Sequence, residues 1–77
     1  MMINELDRVI LTTSLPEYGL KTGDIGTVVL VHANGEGFEI EFVSLDGETV
    51  ATVSLHAYNV RPIGPHEIAH ARPLASP

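Results

Sequence analysis

Apolar and polar positions alternate along most of this chain at the period of a β-strand, and turn residues interrupt the pattern at short intervals. The first apolar run, Val9-Ile10-Leu11 within residues 7–12, is short and β-branched and predicts strand one. Residues 15–24 then read as a loop, because Pro16 fixes its own φ and restricts Leu15, while Gly19 and Gly23 permit positive φ. Leu15, Tyr18 and Leu20 are expected to fold this loop back onto the core. Residues 26–32 carry the strongest strand signal, since Val28-Val29-Leu30-Val31 implies burial on both faces or a central place in the sheet.

Asn34-Gly35 is the leading signal for a tight hairpin and introduces strand three, residues 38–43. Strict alternation there sends Phe38, Ile40 and Phe42 inward and Glu39 and Glu41 outward, so one face of the strand is acidic. Asp46-Gly47 makes the next hairpin turn, and residues 49–55 return as strand four with Ala51, Val53 and Leu55 on the core side. His56-Ala57-Tyr58-Asn59 reads as one helical or 3₁₀ turn before the short last strand, residues 60–63, where Pro62 allows only an edge or a strand end. Five short strands, a long packed loop after the first and a turn before the last predict an all-β, small five-stranded SH3-like barrel whose closure removes most exposed edges. Residues 1–63 form this domain. Residues 64–77 are expected to be a Pro-rich tail with room for a short helix.

A chain of 77 residues has room for one domain and one modest core. With two Phe, two Tyr and no Trp, that core must come mainly from Val, Ile and Leu, a composition suited to pleated packing. The absence of cysteine excludes both a disulfide framework and a thiolate metal site. The start lacks the basic stretch and apolar run of a signal peptide, and no apolar run approaches the ~20 residues that span a bilayer, so a cytoplasmic protein without membrane contact is the expectation.

Ten acidic residues against four Lys and Arg give a formal charge of −6, and the distribution matters more than the sum. Between Lys21 and Arg61 no Lys or Arg occurs, whereas Asp24, Glu36, Glu39, Glu41, Asp46 and Glu48 all fall there. Such a field repels phosphate backbones and attracts basic partners. Glu36, Glu39, Glu41, Asp46 and Glu48, with the aromatic rings of Tyr18 and Tyr58, are therefore the candidate partner-binding residues. Exposed strand edges offer a second docking mode by strand addition. Monomer and homodimer stay equally open.

The ordered set Val9-Ile10-Leu11, Leu15-Pro16-Glu17, Gly19-Leu20, residues 23–29 (Gly-Asp-Ile-Gly-Thr-Val-Val), residues 39–42 (Glu-Ile-Glu-Phe) and Val60-Arg61-Pro62 resembles a bacterial family described as domain of unknown function 4926. The resemblance implies a small SH3-like module and brings no catalytic residues or cofactor. Residues 21–29 also look like the KOW-type turn of ribosomal proteins, which makes nucleic-acid or ribosome association the alternative, with Arg8, Lys21 and Arg61 as the phosphate contacts. Three cations are few for that task. A turn of this kind is what a small barrel needs to reverse its chain, so Gly23-Asp24-Ile25-Gly26 reads as a fold element rather than a ligand site.

His66-Glu67-Ile68-Ala69-His70 has the H-E-x-x-H spacing that puts two imidazoles on one helical face beside a general base. Pro65 and Pro73 leave room for about two helical turns, and a zinc peptidase needs a third ligand and a cleft as well. His66 and His70 are thus weak metal candidates, and no catalytic residue or cofactor is assigned. His32 and His56 fall at strand ends and read as surface residues. The chain is expected to be a non-catalytic interaction or accessory module, antitoxin-like or enzyme-accessory in kind, that meets a basic protein through its acidic hairpin.

Overall fold

The computed structural model describes residues 2–74, which form five antiparallel strands in one sheet and no α-helix. The strands are β1 (Arg8–Leu11), β2 (Ile25–His32), β3 (Gly37–Val43), β4 (Thr49–His56) and β5 (Val60–Pro62). They run β4-β3-β2-β1-β5 across the sheet, the arrangement of a small SH3-like fold, with β2 in the centre. The 3₁₀ turn Ala57–Asn59 carries the chain from one end of this order to the other. No hydrogen-bonded ladder joins β4 to β5, so the sheet curls without closing and both remain edges, contrary to the expectation of closure. β5 is short and carries Pro62, which blunts its edge.

Alternation decides which side chains enter the core. Phe38, Ile40 and Phe42 of β3, Val53 and Leu55 of β4, Val9 and Leu11 of β1, Val28 of β2 and Val60 of β5 are all buried in one cluster. Leu20 joins it from the β1–β2 loop and Leu15 packs at its margin, whereas Tyr18, expected to do the same, is 46% exposed on the 3₁₀ turn Pro16–Tyr18. The turn explains the difference. It closes on itself through Leu15 and Leu20, whose backbones bond to each other, and leaves its apex outside.

The four aliphatics of β2 are central but not buried on both faces: Val29 and Leu30 are 40% and 45% exposed. A β-bulge lies between Val28 and Leu30 and shifts the register, so two residues of β2 fall where β3 supplies one. Asn34-Gly35 also departs from the tight hairpin predicted. His32 pairs with Gly37, and the intervening loop contains the 3₁₀ turn Ala33–Gly35 with positive φ at Ala33, Asn34 and Gly35.

The segment 23–26 connects loop to central strand. In the turn Lys21–Asp24, the Asp24 amide donates to the Lys21 carbonyl (3.0 Å) and Gly23 occupies the third position with φ 97°. Gly23 N–H and Asp24 C=O then bond to Leu11, which extends the β1–β2 ladder. Gly26 is needed for a different reason: a Cβ there would stand 2.5 Å from Ile40 Cγ2 and 2.9 Å from Phe42 Cε1.

After β5 the chain makes a turn at Pro65–His66 and continues to residue 74 without regular structure. It returns across the molecule to the Lys21–Asp24 turn. No helix among the described residues is long and apolar enough to cross a membrane.

Candidate functional site

Pairing of β3 with β4 places Glu39 opposite Ser54 and Glu41 opposite Thr52 on the outer face of the hairpin. Each carboxylate has neutral or imidazole partners. Glu39 Oε2 accepts from Ser54 Oγ (2.7 Å) and lies 3.0 Å from His32 Nε2, and Glu41 Oε2 accepts from Thr49 Oγ1 (2.8 Å). The His32 ring, followed by the Ser54 hydroxyl, holds the Glu39 carboxyl below its usual range. Asp46 accepts from the Ser44 hydroxyl in the β3–β4 turn, where Ser44 and Glu48 also bond through their backbones.

The candidate acids do not converge on one point. Glu36 lies in the β2–β3 loop and Asp46 and Glu48 in the β3–β4 turn, separated by the length of a seven-residue strand, roughly 20–25 Å. They form a stripe along the hairpin. Tyr18 and Tyr58 are both exposed, and neither ring lines the groove beside the β3–β4 turn or the smaller one at Arg8–Val9 and Pro62–Ile63. Tyr58 stacks on His56, ring centroids 4.9 Å apart and nearly parallel, so each covers one face of the other.

The H-E-x-x-H segment is not helical, and its glutamate has another task. Glu67 accepts both terminal nitrogens of Arg61 (2.8 and 2.7 Å) and the Gly64 amide (2.6 Å). Arg61, then the Gly64 amide, bring its carboxyl down to about 2. His66 and His70 flank this latch on exposed chain, and among the described residues no three His, Asp or Glu side chains gather in a way that could hold a metal ion.

A second latch joins residues that the sequence does not connect. Arg72 Nε donates to Asp24 Oδ1 (2.8 Å), and Nη2 donates to Asp24 Oδ2 (2.6 Å) and to the Gly19 carbonyl (3.0 Å). Asp24 Oδ2 also accepts the Lys21 amide at 2.8 Å. The pair is fairly enclosed, with side-chain exposures of 26% for Arg72 and 17% for Asp24. Burial pushes the Asp24 carboxyl up, yet the Arg72 guanidinium and the Lys21 amide outweigh it and hold the group below its usual range. Beside the pair runs a groove of about 760 Å³, walled on one side by the tail and on the other by the β3–β4 turn. Arg8, Thr27 and Glu41, register partners across β1, β2 and β3, lie along it.

The four Lys and Arg are therefore divided two and two. Arg61 and Arg72 are paired with carboxylates, which leaves Arg8 and Lys21 as the remaining cationic side chains of the sequence. Of the phosphate contacts that a KOW-like reading requires, Arg61 is already occupied by Glu67. Asp24, Arg72 and Glu67 are the interacting residues that sequence patterning missed. No local signal marks an ion pair spanning 48 positions.

Residues 5–62 match the family model described as Domain of unknown function (DUF4926), and the chain belongs to that family. The match ends at Pro62, so Glu67 and Arg72 lie beyond it. No curated protein and no solved structure matches the chain.

Proposed function

We propose that this chain is a non-catalytic protein–protein interaction module whose β3–β4 hairpin meets a basic partner. One observation carries the reading. Glu39, Glu41 and Asp46 are oriented by hydroxyls and an imidazole rather than by lysine or arginine, so their charge is fixed in direction but left for a partner to neutralise. Between Lys21 and Arg61 the chain has no Lys or Arg, and among the described residues none pairs with these three acids. Complementary charge of this kind steers encounter and fixes register more than it adds affinity. It suits a cytoplasmic accessory subunit or an antitoxin-like neutraliser, with Glu36 and Glu48 extending the stripe.

The test is capture from the native host with the full-length chain as bait, followed by repeat capture with Glu39→Lys/Glu41→Lys. A stoichiometric basic protein should be recovered by the wild type, lost progressively as salt rises, and associate more slowly with the variant. Recovery of no stoichiometric protein, or capture indifferent to both salt and charge reversal, defeats the proposal.

A further inference from the structure

Arg72 sits in a notch that is already built for a guanidinium. The Asp24 carboxylate presents both oxygens side by side and the Gly19 carbonyl takes a third N–H, while the Lys21 amide fixes the carboxylate from behind. This is bidentate recognition, which favours arginine over lysine by geometry. The notch opens onto the groove, where Glu41 and Asp46 outnumber Arg8 and so suit a basic segment, and where the exposed Leu45 suits an apolar neighbour.

The segment that now fills the notch is held there weakly by everything except its ion pairs. Ile68 is 94% exposed and Leu74 stays 42% exposed, so the tail buries little apolar surface. It has no regular structure between the two latches, and Arg72 precedes Pro73, which biases it to extended backbone. An extended chain that inserts one arginine is a form of ligand that another protein can reproduce.

We infer that the notch formed by Asp24 and Gly19 is an arginine-recognition site for an extended segment of a basic partner, occupied in cis by the chain's own Arg72. The inference rests on the proposal that the partner is basic and adds where its arginine inserts. A tethered residue competes at an effective concentration of about millimolar, so the free chain is self-blocked and a partner must displace the tail to dock. Displacement exchanges one ion pair for an equivalent one and leaves no charge unpaired in the notch.

The test uses the heptapeptide Ile-Ala-His-Ala-Arg-Pro-Leu, the sequence of residues 68–74, and a sibling in which citrulline replaces arginine. Each is titrated into the full-length chain carrying Arg72→Ala, with the amide resonances of Gly19, Lys21 and Asp24 as readout. The arginine peptide should shift these signals to saturation and the citrulline peptide should not. The wild-type chain should need about tenfold more peptide or beyond, because its own arginine competes. Adding Asp24→Asn to Arg72→Ala should abolish the shifts while the circular-dichroism spectrum is retained.

Absence of shifts in Arg72→Ala and also in Arg72→Ala/Glu67→Gln, where the Glu67–Arg61 latch is released as well, overturns the inference, as does equal binding of the citrulline peptide. A wild-type dimer in sedimentation that Arg72→Ala dissolves also overturns it, since the site then belongs to a second copy of this chain. Peptide binding that survives while capture through the hairpin fails would defeat the proposed function alone. The converse would defeat the arginine site alone.

Discussion

Gly23 in the Lys21–Asp24 turn and Gly26 in β2 stand three residues apart, and the structure requires glycine at each for a different reason. At Gly26 an added Cβ would meet Ile40 Cγ2 at 2.5 Å and Phe42 Cε1 at 2.9 Å. Ile40 is fully buried and Phe42 is 2% exposed, so neither can swing into solvent to make room. Overpacking costs about 1–3 kcal/mol, and contacts this short with side chains that cannot yield put it in the upper part of that range, about 2–3 kcal/mol. Replacing a strand glycine by alanine recovers about 0.5–1 kcal/mol of chain entropy, which leaves a net loss of roughly 1–2 kcal/mol. For a domain of this size each kcal/mol moves Tm by about 4–8 °C, so Gly26→Ala should melt about 5–15 °C below the wild type. At Gly23 the space is open but φ is 97°, and the penalty is one of backbone strain. Asparagine tolerates positive φ better than alanine, whereas at position 26 it only adds atoms to the collision. Thermal melts should therefore rank Asn above Ala at position 23 and Ala above Asn at position 26. The same ranking at both positions, or a Gly26→Ala chain melting within about 2 °C of the wild type, would refute the reasoning.

Both latches should weaken as pH falls. Glu67 is depressed from 4.5 to about 2, so its contribution is complete above pH 4.5 and lost as pH falls toward 2, which an NMR titration of the Gly64 amide would show. Asp24 is depressed from 3.8, so the Arg72 contact should weaken only below that value, reported by the Lys21 amide. Glu67→Gln should raise hydrogen exchange across residues 64–72 while the melting of the sheet changes little, because the latch is at the surface. Ile40→Ala should cost about 2–5 kcal/mol in urea unfolding, since it empties the centre of the β3 core face.

The strands were legible because each is a short contest between a period of two and a turn. β3 is the clearest case: Phe38, Ile40 and Phe42 alternate with glycine and glutamate, and one register satisfies the pattern. β2 was less legible for a physical reason. A run of aliphatics has no alternation to read, and the bulge at Val28/Leu30 that turns Val29 and Leu30 outward depends on the pairing with β3 and not on β2 itself. Asn34-Gly35 misled in the same way. The dipeptide fits a two-residue hairpin, but the His32–Gly37 pairing demands a longer loop, and positive φ spreads over Ala33, Asn34 and Gly35.

The site was less legible than the fold, because a latch between residues 48 positions apart leaves no period to find. Asp24 could be assigned the amide bond it makes to Lys21, which is local, but not its bonds to Arg72, which come from the path of the tail. The H-E-x-x-H motif failed for a related reason. Its spacing has meaning only on a helix, and Glu67 is drawn instead to Arg61 and the Gly64 amide, both of which lie before the motif. The consequence is a division of charge. The tail latches occupy Arg61 and Arg72, while the hairpin acids bond only to hydroxyls and an imidazole. A chain with four Lys and Arg against ten acids has thus placed two of these cations where they hold its tail, and among the described residues none in an ion pair with a hairpin acid. Release of the tail by a partner's arginine would leave Arg72 free beside the acidic groove, so tail displacement and hairpin docking should be coupled through charge rather than through any change in the sheet.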